Sequence, residues 1–336
     1  MAQSKTYLNY IHNFRGVAII FVVGGHILYG WHDKSSIGYQ IINSVFQNGT
    51  VLFIFIAGYL FQHLSRGFEY RSYLEKKVTN VLLPYLIVSL PILLVRLYSG
   101  APEYLVEIEP DYAHWSVAHR CFWLLITGAH LLPLWFVPMI TLFYLCAPLL
   151  LAIDRRPRYY WVLILLVMVS LLVPRKELEN IPRMFIHFLS VYVFGMFCSH
   201  YKNELLEFSK RWWRPLTALT VVVVIVSLFK IPLYDQMMYV QKMLLCWFFI
   251  YWLWRWDAHV PKITAFLAEI SFGIFFVHFY FVIGLRYVQE RVLHIEIRDI
   301  VLYWSIQFIG VMVTTSVFIW VMQKIFGKRS RMLIGC

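Results

Sequence analysis

Ten separate apolar runs, at about 8–30, 40–63, 78–98, 132–153, 159–174, 184–200, 214–231, 237–255, 264–285 and 300–325, constrain this chain more than any other feature. A hydrocarbon core about 30 Å thick takes roughly 20 residues of α-helix, and inside it every backbone N–H and C=O must find a partner within the protein. Composition agrees, because only 14% of the residues are charged, against about 25% in an ordinary soluble domain. The expected fold is an all-α integral membrane protein with about ten transmembrane helices, several of them short or containing Pro, notably 159–174, and repeated halves with broken helices are not seen. The first run carries Arg15 and no small-residue cleavage site follows it, so it reads as a retained span and not as a signal peptide.

An even number of spans puts both termini on one side, and positive charge says which. Lys5, the Arg66–Lys77 stretch, Arg155, Arg156, Arg158, the Lys202–Arg214 stretch, Arg255, Lys262 and the Lys324–Arg331 tail share the N-terminal side. The opposite loops hold fewer cations: Lys34, Arg120, Arg175, Lys176, Arg183, Lys230, Arg286, Arg291 and Arg298. Both termini are therefore expected in the cytoplasm. The same asymmetry accounts for the net charge of +12 without nucleic acid. The five cysteines are scattered singly and lack metal-ligand spacing. The chain reads as one domain, 1–336, with no fused soluble domain. Its longest non-spanning piece, about 99–131, is expected outside and carries Glu103, Glu107, Glu109 and Asp111 with Tyr104, Tyr112, Trp115 and Trp123. Aromatic faces beside carboxylates suit a sugar, and an interfacial aromatic belt suits the same residues. Within it, Val117–His130 reads as an interfacial or re-entrant helix.

Arg15 and His26 stand in the first run eleven positions apart, which at about 100° per residue is three turns plus roughly 20°. They share a face, separated by about 16 Å along the axis. Ser271 and His278 are seven apart, roughly 20° short of two turns, and share a face in the same way. Ionisable groups inside spans are costly and mark function more often than chance, although a snorkelling arginine and a bonded core histidine fit the same pattern.

Several short motifs resemble the membrane-bound acyltransferase-3 family. Arg15-Gly16 followed by His26 is similar to that family's first helix, with His12 where Asp is usual. Phe53-Ile54-Phe55-Ile56-Ala57-Gly58-Tyr59-Leu60 resembles its second helix, with Ala57 in place of Ser and Gly58 expected to allow close packing. The stretch from Tyr73 through Lys76 and Lys77 to Pro84-Tyr85 resembles the family's basic lead into helix three. Lys77 and Asn80 stand there where two arginines are usual. Leu134-Trp135-Phe136-Val137-Pro138 and Ser271-Phe272-Gly273-Ile274-Phe275-Phe276-Val277-His278 complete the likeness.

The resemblance implies transfer of an acyl group, usually acetyl from acetyl-CoA, to a hydroxyl of a carbohydrate or glycolipid at a bacterial cytoplasmic membrane, as in surface polysaccharide O-acetylation. It implies His26 and His278 as catalytic groups and Arg15, Arg71, Lys76 and Lys77 as the donor's phosphate contacts. Ser271, Trp135 and Trp115 would touch substrate, and no metal is expected. Histidine suits a general base near neutral pH. Lys76 and Lys77 also fit as ordinary cytoplasmic charges. The other readings are a proton-coupled transporter or lipid flippase using the same Arg and His, a different membrane O-acyltransferase family, and a membrane sensor.

Overall fold

The computed structural model describes residues 8–29, 31–98, 109–175, 180–229, 232–294 and 300–336. Lys5, Glu103, Tyr104, Glu107, Lys176, Lys230 and Arg298 lie outside the described residues. Among the described residues every regular element is helical. In chain order these are α1 (Asn9–His26), α2 (Ile37–Phe46), α3 (Thr50–His63) and α4 (Tyr70–Lys77), then a π turn at Val78–Leu82, α5 (Leu83–Tyr98), α6 (Val117–Thr127), α7 (Phe136–Leu145) and α8 (Ala147–Asp154). There follow α9 (Val162–Leu172), α10 (Ile181–His200), α11 (Lys202–Val226), α12 (Tyr234–Arg255), α13 (Lys262–Tyr287), α14 (Val301–Phe326) and α15 (Ser330–Ile334).

Five helical stretches among the described residues are long and apolar enough to cross a bilayer on their own: Ile37–His63, Tyr70–Tyr98, Ile181–His200, Lys262–Val292 and Val301–Ile334. The pair Val117–Thr127 and Leu132–Leu145, bent by 72°, makes a sixth if counted as one span. Other expected spans fall short in length or hydropathy. Asn9, His12, Asn13 and Arg15 sit in α1, and Asp235, Gln241 and Lys242 in α12, while α9 is short. Only 22% of the most apolar stretch of α14 is covered by protein, and Leu302, Ile306, Ile309, Val313 and Val317 stand exposed along it. An apolar face of this length is at home against lipid tails and not against water. The chain is thus an α-helical membrane protein.

Broken helices, not seen in the sequence, are present in the structure. The run at 40–63 breaks between α2 and α3, where Asn48 takes a left-handed φ of 61°, a region Asn tolerates better than most residues. The break frees backbone carbonyls that are buried and need a partner within the protein. The buried Lys242 of α12 answers by donating from Nζ to Ser44 O at 3.2 Å and Val45 O at 2.6 Å. The run at 132–153 breaks at Cys146, where Pro148 lacks an N–H and its ring opposes the carbonyl four residues back. Pro84 does the same to Asn80, and the widened π turn absorbs it.

Two close helix pairs hold the core together. Where α3 meets α10, a Cβ on Gly58 would lie 2.0 Å from Tyr192 O, so the packing role expected of Gly58 is real. Where α1 meets α13, a Cβ on Gly16 would lie 2.1 Å from Thr264 O. That second pair positions the site.

Candidate functional site

Helices α1 and α13 run side by side in the same direction, and the polar residues of α1 find partners in order along α13. His12 Nε2 meets Ala265 O at 3.2 Å, Arg15 Nη2 donates to Ser271 Oγ at 3.1 Å, and His26 Nδ1 lies 2.9 Å from His278 Nε2. The two shared faces expected from spacing therefore face each other. From His12 to Arg15 the chain advances three residues on α1, while their contacts advance six on α13. The guanidinium thus leans toward the histidines by about a helical turn.

The hydrogen bonds of the histidine pair assign both tautomers. His278 is fully buried, and its Nδ1 lies 2.7 Å from Ile274 O and 3.0 Å from Phe275 O. Carbonyl oxygens only accept, so Nδ1 carries the proton and Nε2 offers a lone pair. His26 must then donate from Nδ1, which leaves its own Nε2 as a free lone pair. A neutral imidazole with its basic nitrogen unblocked is what a general base needs.

His26 lines a cavity of about 360 Å³ bounded by the α1–α2 connection, the α2–α3 break, Leu132 and Arg175. Tyr29, Trp31, Lys34, Tyr39, Asn43, Gln47 and Asn48 also line it. Arg175 enters from the connection after α9. Its guanidinium lies 4.8 Å over the Trp135 ring and donates to Asn48 Oδ1. Burial draws its pKa down to about 10, so it remains a cation at neutral pH.

The remaining expected residues are distributed unevenly. Ser271 is buried under Arg15 and donates to Ala268 O at 2.8 Å. Trp135 is buried and stacks on Phe188, so it serves as the platform for Arg175 and does not line the cavity. Trp115 lies in a separate cluster with Leu93, Tyr112 and Leu124, stacked on His119 at 4.1 Å. Arg71 is turned outward and paired with Glu75 at 3.1 Å, and Lys76 is exposed. Lys77 turns inward, 5.2 Å from the ring centre of Tyr73 and 4.7 Å from that of Tyr144. Asn80, at the second basic position, spends its amide on Lys76 O at 2.8 Å.

Sequence reasoning missed Arg175, Asn48 and Lys242. Lys242 could have been found as a lone cation inside an apolar run. Arg175 counted only as a loop charge, and nothing local marks the stack beneath it. Among the described residues no group of three or more His, Cys, Asp or Glu is placed to hold a metal ion.

Comparison among curated proteins and among solved structures returns no match for this chain. The profile of the acyltransferase-3 family, an acyltransferase domain, matches residues 8–323, and that span includes the Arg15, His26, Arg175 and His278 positions. On that match, which covers nearly the whole chain, the protein belongs to the acyltransferase-3 family of membrane acyltransferases.

Proposed function

We propose that this protein moves an acyl group, acetyl in the simplest case, from acyl-CoA on the cytosolic face to a hydroxyl of a surface carbohydrate or lipid-linked glycan. The observation that carries the reading is the relay from the Ile274 and Phe275 carbonyls through His278 to His26, a residue that lines a cavity. His26 Nε2 takes the proton of the acceptor hydroxyl as that oxygen bonds to the thioester carbon. The carbon–sulfur bond breaks, and the imidazolium returns its proton to the CoA thiolate. His278 holds the imidazole in the productive tautomer throughout.

Coenzyme A is a polyanion made in the cytosol, so its phosphates belong at the Arg15 end of α1, with about ten spans and both termini cytoplasmic in a bacterial cytoplasmic membrane. Arg15 and the inward Lys77 are the inner contacts in this scheme, and the exposed Arg71 and Lys76 supply a diffuse attractive charge. The thioester then reaches His26 from that side, while the acceptor enters through the cavity on the far side.

A second reading gains from the structure. Broken helices are a mark of transporters, and the α2–α3 break, the 72° bend and the break at Cys146 are of that kind. Purified protein given radiolabelled acetyl-CoA and membrane glycolipids separates the two. Label appearing on the glycan without net solute movement supports acyl transfer, and proton-coupled solute movement without labelled glycan supports transport.

A further inference from the structure

The cavity beside His26 is rich in donors and poor in acceptors of charge. The cations Lys34 and Arg175 line it, and no Asp or Glu does so among the described residues. Trp31 adds an indole N–H that is buried and has no hydrogen-bond partner. A pocket for a neutral sugar profits from carboxylates, which only accept and so match a ring of hydroxyl donors. This wall offers the opposite polarity.

Arg175 is also held ready. Trp135 lies under its plane, Phe188 stands 6.0 Å from it, and Asn48 receives one end of the fork. Asn48 orients the guanidinium without cancelling its charge, which an aspartate in that place would do. A fixed, uncompensated cation in a partly enclosed site is worth far more to an incoming anion than one in water. The planar fork matches the two oxygens of a carboxylate or phosphoryl group, which a lysine cannot do.

We propose that Arg175 anchors a carboxylate or phosphoryl group of the acceptor beside His26, so that the acceptor is an acidic glycan. Calling the ligand an acceptor rests on the acyl-transfer reading, whereas the anion site itself does not.

Ligand-observed NMR titrations of the full-length protein in lipid nanodiscs, with glucuronic acid, glucose 1-phosphate and glucose as probes, test this without turnover. One or both anions should bind about tenfold more tightly than glucose, the order expected of a charge-assisted pair, and the better of the two tells carboxylate from phosphoryl. Arg175→Gln should erase the preference. Asn48→Asp, which leaves the guanidinium in place and neutralises it, should erase it too, while Arg175→Lys keeps a part. Glucose binding as tightly as both anions to the unaltered protein would overturn the proposal, as would an anion preference that survives in a folded Arg175→Gln protein. Anion binding that follows this pattern in a protein that transfers no acetyl would uphold the site and remove the acyl-transfer reading alone.

Discussion

At His26 the proton stays on Nδ1 because His278 accepts it, and His278 can accept because two backbone carbonyls hold its own proton on the other nitrogen. His26→Ala should therefore leave acyl-CoA binding intact and cut transfer by about 10²–10⁴-fold, removing any imidazole limb from the pH–rate profile. His278→Ala should also leave acyl-CoA binding intact and lower transfer, by up to about 10⁴-fold as when a base loses the group that fixes its tautomer, but should keep a limb because the base survives. Steady-state rates across pH check both. The inward and outward cations separate as well. Lys77→Gln should raise the donor KM more than it lowers kcat, because a remote phosphate contact is largely uniform binding, whereas Arg71→Gln, already paired with Glu75, should change little. That Arg15 shares a face with His26, and Ser271 with His278, was legible in the sequence, since the helical period is a local property; that the two faces meet was not. Arg175 was not, because its place depends on a loop folding across Trp135.

On the scale of elements, the site exists where α1 lies flush on α13, and Gly16 permits that approach. Gly16→Ala and Gly58→Ala should each destabilise the protein by about 1–3 kcal/mol, the usual cost of overfilling a packed contact. Only Gly16→Ala, which forces α1 away from Thr264, should also part the histidine pair. Thermal melts beside transfer rates test this: melting falls in both variants, and the rate per folded molecule falls in the first alone. The breaks were harder to foresee than the helices, because apolar sequence runs straight through them. Their marks are small, an Asn48-Gly49 pair that favours a turn and a single Pro148. Lys242, satisfying the carbonyls that the first break leaves open, becomes intelligible only once the break is seen.

For the whole molecule, the proposed topology puts the two ends of the α1–α13 pair in different compartments. Reporter fusions after residue 68 and after residue 336 should read cytoplasmic and one near residue 107 external, and a cytoplasmic reading at 107 would reverse the proposed direction of transfer. The membrane nature of the fold was plain from ten apolar runs, while the cavity was not, since it is assembled from connections far apart in sequence. In the proposed scheme donor and acceptor arrive from opposite faces and meet at His26. Oriented proteoliposomes with radiolabelled acetyl-CoA on the side of the N terminus and glycan on the other measure this directly. Labelled glycan on the far side with the unaltered protein, and none with His26→Ala, is the predicted result. Equal labelling by the two proteins, or proton-coupled solute movement with no labelled glycan at all, would contradict it.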